Sequence, residues 1–150
     1  MTTATLPTGK GTYILILRLD ESAQLTIGKL GTFAFPAGWY AYVGSAFGPG
    51  GLRGRLKHHL APVINPHWHI DYLRQTASTR EVWYLVSATV YEHEWAAALA
   101  SYSRAAIPVP RFGASDCRCE THLIHFSELP DFAEFQGDTG QPIQRWYSGG

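Results

Sequence analysis

The segment Gly11–Leu19 constrains the fold of this chain more than any other feature. Its sequence, GTYILILRL, is rich in Ile, Leu and Tyr and is typical of a largely buried strand. The clean apolar run, 13–17, is interrupted by Arg18 and is far too short to cross a membrane. No charged segment followed by a long apolar stretch precedes it. We therefore expect a cytoplasmic protein that is neither secreted nor inserted in a membrane.

Shorter segments predict the remainder of a small α+β domain. Segment 24–35 carries two glycines and predicts a bent β-ribbon, and aromatic and β-branched residues at 39–43 predict another strand. Residue periodicity and composition also predict helices at 52–60, 69–77 and 91–105, and strands at 81–90 and 122–126. This order of elements predicts a mixed α/β layer in which helices flank a small antiparallel sheet.

The length of 150 residues fits one domain with a substantial core. We expect a flexible N-terminus over residues 1–9, a single folded domain over 10–128, and a C-terminal tail over 129–150. The two cysteines, Cys117 and Cys119, do not suggest a disulfide framework.

The charge of the chain is balanced overall but unevenly distributed. Twelve Lys and Arg residues stand against twelve Asp and Glu residues. This balance argues against a basic nucleic-acid coat protein or a polybasic membrane binder. Residues 22–70, however, contain no acid, so this segment is a candidate for a local phosphate-facing surface. Its basic and histidine residues are Lys29, Arg53, Arg55, Lys57, His58, His59, His67 and His69.

Three side chains in this acid-free segment suit phosphate chemistry. Tyr42 ends a predicted strand, and Arg55 and His59 lie four residues apart on one face of a predicted helix. Arg can bind a phosphate through two hydrogen bonds, and Tyr and His can hold or move protons. The alternative is that Tyr42 is a half-buried strand aromatic while Arg55 and His59 are solvated helix residues. The spacing alone leaves both interpretations open.

These motifs resemble those of the GIY-YIG nucleases. The first motif of that superfamily resembles Gly11-Thr12-Tyr13, the second resembles Tyr42-Val43-Gly44, and the following helix matches at Arg55 and His59. The longer span between the two tyrosines implies an inserted ribbon. More closely, the chain resembles the Uri-type branch, long classed as a domain of unknown function. The blocks that carry this resemblance are FPAG (35–38), YVGSA (42–46), HWHIDYL (67–73) and FGASDCRC (112–119).

The resemblance implies a metal-dependent DNA endonuclease that leaves 5′-phosphate and 3′-hydroxyl ends. Tyr13 and Tyr42 would flank the scissile phosphate, and Tyr13 would help to deprotonate the attacking water. Arg55 would stabilise the transition state, and His59 would hold Tyr13 or relay its proton. Substrate contacts are expected from Ser45, Arg53 and Lys57. Relatives of the branch occur fused to repair glycosylases, which implies a DNA-repair protein as a partner.

The resemblance also implies one glutamate on a later helix that holds Mg²⁺ or Mn²⁺. The candidates are Glu92 and Glu94. Glu92 shares a helical face with Trp95, Ala96 and Leu99, whereas Glu94 lines up with a smaller and more polar stripe. We therefore predict that Glu92, on the face expected to pack on the sheet, is the ligand. The alternative is a carboxylate that only stabilises the start of the helix.

The block His67-Trp68-His69-Ile70-Asp71 allows three interpretations. His69 could complete the nuclease site, as a second histidine does in some relatives. A zinc site could instead combine Cys117, Cys119 and His122 with His67 or His69, although the Cys-x-Cys spacing is shorter than in common zinc knuckles. In the third interpretation the block is structural: Asp71 pairs with a histidine, Trp68 lies in a satellite core, and the cysteines act as small hydrophobes.

A second class of function fits the same sequence. A non-catalytic nucleic-acid-binding or repair-accessory module would keep the basic face without needing Tyr13 or Glu92. We find no equivalent of the asparagine that the nuclease family carries near the end of its fold. The sequence leaves the DNA structure, the cleavage polarity and the oligomeric state undetermined.

Overall fold

The computed structural model describes residues 6–114 and 119–147, which form an α+β fold. The described residues contain a five-stranded antiparallel sheet, a separate two-stranded ribbon and four helices. The strands are β1 (Gly11–Leu19), β2 (Ala23–Ile27), β3 (Gly31–Phe35), β4 (Gly38–Ala46), β5 (Ser78–Val86), β6 (Leu123–Phe126) and β7 (Gln144–Tyr147). The helices are α1 (Gly51–Leu60), α2 (His69–Arg74), α3 (Glu92–Ala100) and α4 (Phe132–Thr139).

Strand β1 lies at the centre of the main sheet, whose order is β6-β4-β1-β5-β7. It pairs along its whole length with β4 on one side, and from Gly11 to Arg18 with β5 on the other, where the register shifts between Ile16 and Leu17. Every residue of β1 is buried except Arg18, which is half-buried. Burial on both faces of the sheet explains why this strand is a continuous apolar run and does not alternate with polar residues.

Side chains of the sheet alternate between two faces, and different helices cover each face. The tyrosine face packs against α1, α2 and the β2–β3 ribbon. Its central residues are Tyr13, Leu15, Leu17, Tyr40 and Tyr42. The opposite face packs against α3 and α4. Its central residues are Ile14, Ile16, Ala41, Val43 and Trp83.

The predicted α+β class, the antiparallel sheet with flanking helices and the inserted ribbon are confirmed by the described residues. The last helix of the 10–128 region is shorter than its sequence suggested: α3 stops at Ala100, and Ser101 caps it by donating its hydroxyl to the carbonyl of Ala98. Strand β5 begins three residues earlier than predicted.

The structure corrects the predicted C-terminal tail over 129–150, because this segment contains α4 and β7. Phe135 of α4 is fully buried between Trp83 and Trp95. Strand β7 extends the sheet beyond β5 and buries Trp146 on the tyrosine face. The segment is therefore part of the folded domain through residue 147, although its helix and strand are too short to show a clear sequence period.

The predicted flexible N-terminus over 1–9 needs a similar correction for residues 6–9. Leu6 is fully buried in the core of the tyrosine face. The carbonyls of Pro7 and Gly9 accept hydrogen bonds from the first backbone N–H groups of α1, those of Arg53 and Leu52. This segment therefore caps the start of α1. Residues 1–5 lie outside the described part of the chain.

Gly51, the first residue of α1, provides a test of this cap. Its φ is 59°, and a Cβ atom there would lie 2.0 Å from the carbonyl oxygen of Thr8. We expect Gly51→Ala to lower the free energy of unfolding by about 2–5 kcal/mol, from left-handed backbone strain and the steric clash. Urea unfolding measures this loss.

Gly54, one turn further along α1, is the matched control. A Cβ atom there meets only the Pro49 carbonyl oxygen, at 3.7 Å. Gly54→Ala should raise the free energy of unfolding by up to about 1 kcal/mol, because Ala favours the helix. Equal stabilities for the two variants would show that the N-terminal segment does not lie against α1 as described.

Candidate functional site

Two tyrosines on neighbouring strands form the base of the candidate site. Tyr13 of β1 pairs in register with Gly44 of β4, and Tyr42 lies diagonally opposite on the same face. A Cβ atom at Gly44 would lie 2.4 Å from the Tyr13 hydroxyl oxygen. Gly44 therefore leaves the space that the Tyr13 side chain occupies, which connects the Gly-Thr-Tyr and Tyr-Val-Gly segments physically.

His59 of α1 makes a direct hydrogen bond with Tyr13. Its Nε2 lies 2.7 Å from the Tyr13 hydroxyl oxygen, and its ring centroid lies 6.2 Å from that of Tyr42. Tyr13 and His59 are each 1% exposed. The other ring nitrogen of His59, Nδ1, is buried and has no hydrogen-bond partner among the described residues. The pair can therefore pass a proton along one defined hydrogen bond.

Arg55 lies one helical turn before His59 and brings positive charge to the same hydroxyl. Its guanidinium is centred 4.7 Å from the ring of Trp68, which packs against His59. Arg55 and Trp68 also line an open cleft beside the glycine-rich turn that precedes α1. Arg55 thus joins the buried tyrosine–histidine pair to the surface.

The two phenols are protonated at neutral pH. Burial raises the pKa of Tyr13 far above its ordinary value, and the neighbouring Arg55 opposes this increase through its charge and by hydrogen bonding. Burial also raises the pKa of Tyr42, and the negative charge of Glu92 and the nearby Tyr13 hydroxyl act in the same direction. Arg55 is thus the group that eases proton loss from Tyr13.

His59 is neutral over the whole physiological range. Burial lowers its pKa to about 3, and the positive charge of Arg74 adds to this effect, while Asp71 opposes it. A neutral imidazole carries one proton and has one nitrogen free to accept another. His59 can therefore act as a hydrogen-bond partner of Tyr13 in either tautomer.

The lowered pKa of His59 makes stability depend on pH. In the unfolded chain this histidine binds a proton below about 6.5, whereas in the folded protein it stays neutral down to about 3. Its contribution is thus complete above 6.5 and is lost as the pH falls below that value. From pH 7 to pH 5 we expect the free energy of unfolding to fall by about 2 kcal/mol through His59 alone.

Urea unfolding of the wild type and of His59→Gln at several pH values isolates this contribution. The glutamine cannot titrate, while all other groups remain the same in both chains. The wild type should lose more stability than the variant on acidification. Parallel pH profiles would contradict a neutral, buried His59.

Glu92 lies at the start of α3, where it can reach the rim of the sheet. The Tyr91 backbone N–H donates to the Thr12 hydroxyl of β1 at 3.2 Å, which places this end of α3 beside Tyr13. Glu92 is 22% exposed, and its Oε1 lies 4.0 Å from Nδ1 of His122. The negative charge of Glu92 raises the pKa values of both site tyrosines. Its carboxylate is therefore electrically part of the site.

Glu92 lies on the face of α3 that was predicted to pack on the sheet. Trp95, Ala96 and Leu99 are buried against the opposite face of the sheet, as the spacing predicted. Glu94 is exposed. The helix therefore separates the two glutamates, and only Glu92 acts on the site tyrosines.

His69 holds a loop beside Tyr42. Its Nδ1 accepts a hydrogen bond from the Gly113 backbone N–H at 2.9 Å, and its ring packs edge-on against Phe112. A Cβ atom at Gly113 would lie 3.0 Å from the Tyr42 ring. Burial lowers the pKa of His69. His69 is thus near the site, and one of its nitrogens is already used to position this loop.

The three predicted substrate-binding residues point in different directions. Arg53 and Lys57 are each two residues from Arg55, which puts them on the other side of α1. The Arg53 Nε donates to the Leu6 carbonyl at 2.7 Å, and Lys57 is exposed. Ser45 lies on the opposite face of β4 from Tyr42, with its hydroxyl buried and without a partner among the described residues. The structure does not gather these three around the tyrosines.

Within residues 6–114 and 119–147, the structure brings Cys119 and His122 together with His93, and not with His67 or His69. His67 and His69 lie at α2, near the tyrosine face, whereas Cys119 and His122 meet His93 of α3. Cys119 Sγ lies 2.9 Å from His93 Nδ1, and the rings of His93 and His122 are 5.7 Å apart. Cys117 lies outside the described residues.

Sequence reasoning missed His93, which is adjacent to Glu92 in the chain. The signal available was a histidine on the helix that carries the candidate carboxylate. Nothing in the spacing indicates that this residue meets Cys119, 26 positions later.

The structural interpretation of the block around Trp68 is confirmed for Asp71. The Asp71 carboxylate accepts hydrogen bonds from the backbone N–H groups of His67 and Trp68 at 2.9 and 3.0 Å, and it pairs with His58 Nε2 at 3.3 Å. These donors hold the pKa of Asp71 below its usual value, although burial acts in the opposite direction. Asp71 therefore fixes the start of α2, and with it the position of Trp68 under Arg55.

The fold and the site define a small α+β domain with a buried tyrosine–histidine pair under an arginine. A family model described as Domain of unknown function DUF123 matches residues 12–141. The chain belongs to this family. No curated protein and no solved structure matches the chain. Within the described part of the chain, no helix has both the length and the apolar character needed to span a bilayer.

Proposed function

We propose that this chain is a metal-dependent DNA endonuclease of the GIY-YIG type, which hydrolyses the phosphodiester backbone to 5′-phosphate and 3′-hydroxyl ends. The observation that carries the proposal is the hydrogen bond between Tyr13 and His59, with Arg55 acting on the same hydroxyl. A proton acceptor, its relay and a fixed cation are the groups that phosphodiester hydrolysis needs.

The roles follow from the position of each group. The Tyr13 oxygen takes the proton of the attacking water while its own proton passes to His59 Nε2, 2.7 Å away. Arg55 favours this transfer, since its charge stabilises the phenolate form. As the water attacks, the same guanidinium stabilises the additional negative charge on the phosphate. Tyr42 donates its hydroxyl hydrogen to the phosphate from the diagonal position on β4.

Glu92 is the residue that would hold a divalent metal ion. It offers oxygen ligands, is partly exposed and acts electrically on both tyrosines. A single carboxylate suits Mg²⁺ or Mn²⁺, which retain waters and take further ligands from phosphate. The chemistry that such an ion supplies is neutralisation of the charge that develops on the leaving 3′ oxygen.

The open cleft beside Arg55 is the route by which DNA would approach. The cleft is lined by the glycine-rich turn before α1, where backbone can come close to a phosphate. This turn lies within the acid-free segment 22–70. We propose that the enzyme is cytoplasmic. We also propose that it acts with a DNA-repair protein partner that selects the DNA, because this site offers contacts to phosphate and few side chains that could read bases.

The test is incubation of the purified chain with single-stranded, duplex and branched DNA in Mg²⁺, Mn²⁺ or EDTA. We expect cleavage with either metal ion, no cleavage in EDTA, and products with 5′-phosphate and 3′-hydroxyl ends. Cleavage should weaken with added salt, because phosphate contacts release counterions. Cleavage that persists in EDTA would overturn the proposed metal dependence.

A non-catalytic nucleic-acid-binding or repair-accessory module is the second candidate. The observation that favours it is the burial of Tyr13 and His59, each 1% exposed, beneath the side chains that line the cleft. Such a module would bind the same DNAs in a salt-dependent way and leave them intact with every metal ion. Binding without cleavage would select this function.

A further inference from the structure

We propose that His93, Cys119 and His122 bind a zinc ion. This group borders the carboxylate assigned to Mg²⁺, since Glu92 Oε1 lies 4.0 Å from Nδ1 of His122. The three side chains come from the first turn of α3 and from the segment that leads into β6. They lie on the α3 side of the sheet. The proposal does not depend on nuclease activity, because its test measures metal binding alone.

The geometry fits a metal ion of this size. One ligand atom from each residue lies within 4.8 Å of the others, and Cys119 Sγ lies 2.9 Å from His93 Nδ1. Zn–S and Zn–N bonds of ordinary length at a tetrahedral angle separate sulfur and nitrogen by about 3.6 Å. The observed separations therefore bracket the one that a tetrahedral zinc ion requires.

The ligand types select the metal. A thiolate and two imidazoles are poor ligands for Mg²⁺ or Ca²⁺, which require oxygen, whereas they suit zinc. Three protein ligands leave a fourth tetrahedral position for water or another donor.

The surrounding backbone holds two of the ligands in place. His122 is 2% exposed, and its carbonyl accepts a hydrogen bond from the Val43 backbone N–H at 3.0 Å. The Cys119 carbonyl accepts a hydrogen bond from Arg111 Nη1 at 2.7 Å. Both ligands are therefore attached to the fold by their main chain.

A second cluster, formed by His58, His59 and Asp71, is a weaker candidate for the same metal. The Asp71 carboxylate already accepts two backbone N–H groups, and His59 Nε2 is bonded to Tyr13. A metal ion there would have to break these hydrogen bonds. The second cluster therefore supplies a natural control for the first.

The test uses the full chain purified without a histidine tag. After treatment with a chelator, it is titrated with zinc against a competing indicator, and with Co²⁺, which enters tetrahedral zinc sites and absorbs strongly when bound by thiolate. We expect one tightly bound zinc ion per chain, a thiolate–cobalt band and a higher unfolding midpoint with zinc. His93→Gln and Cys119→Ser should weaken binding more than about 100-fold, beyond the loss typical of residues that only orient ligands.

Three results would overturn the site: a wild-type chain that binds no zinc, a cobalt complex without the thiolate band, or unchanged affinity in Cys119→Ser. Since Cys117 is the only other cysteine, retention of the band in Cys119→Ser would assign it there. His58→Gln is the matched control and should bind zinc like the wild type. Because His93 is exposed, His93→Gln should keep the wild-type unfolding midpoint in chelator.

Discussion

Glu92→Gln should reduce the rate of DNA cleavage by about a thousandfold, because loss of a metal ligand removes several kcal/mol of transition-state stabilisation. The glutamine preserves size and hydrogen bonding but removes the negative charge that acts on both tyrosines. Single-turnover cleavage at saturating protein measures the effect. Raising the Mg²⁺ concentration should restore part of the lost rate.

Glu94→Gln is the matched control for this prediction. Glu94 is on the same helix, carries the same charge and is exposed, away from the packed face. Its cleavage rate should stay within about twofold of the wild type, as expected for a surface charge. If the two variants behaved alike, or if their effects were reversed, the assignment of the carboxylate would be wrong.

Tyr13→Phe should lower kcat by about 10²–10⁴-fold, the range that general acid–base groups contribute. The substitution keeps the aromatic ring against Gly44 but removes the hydroxyl that meets His59 Nε2. Since Arg55 and the cleft are unchanged, we expect DNA binding to be preserved. The loss should therefore fall on kcat, with KM altered little.

Tyr84→Phe tests whether any phenol on this face would matter. Tyr84 lies directly opposite Tyr13 in the β1–β5 ladder, on the same face of the sheet. It has no hydrogen bond to His59, and its removal should leave kcat within about twofold. Equal activity of Tyr13→Phe and the wild type would exclude Tyr13 as the proton acceptor and would leave the binding module as the better interpretation.

The central elements were predictable because each is dominated by a local pattern. Continuous burial of β1 produces the apolar run at 13–17, and packing of α3 on the sheet produces the stripe that distinguishes Glu92 from Glu94. The four-residue spacing of Arg55 and His59 likewise put them on one helical face, and both act on Tyr13. Helical and strand periods carry such information without any tertiary contact.

Other parts depend on contacts between distant segments. Strand β7 has four residues and is stabilised by its pairing with β5, so its own sequence carries little signal. His93 meets Cys119 because α3 packs on β4 and β6, and Cys119 lies on the segment that leads into β6. The sequence predicts that Arg53 contacts substrate beside Arg55, whereas the Arg53 Nε donates to the Leu6 carbonyl of the N-terminal segment. Local patterns cannot show which neighbour a charged side chain finds.

The close approach of Gly44 to Tyr13 also has a consequence for how related chains can diverge. Any side chain at position 44 would occupy the volume that the Tyr13 phenol fills, because its Cβ atom would lie 2.4 Å from the phenol oxygen. The two positions are therefore not free to change one at a time. In a lineage where a smaller residue replaces Tyr13, position 44 no longer has to be glycine. We therefore expect the tyrosine and the glycine to be gained or lost together.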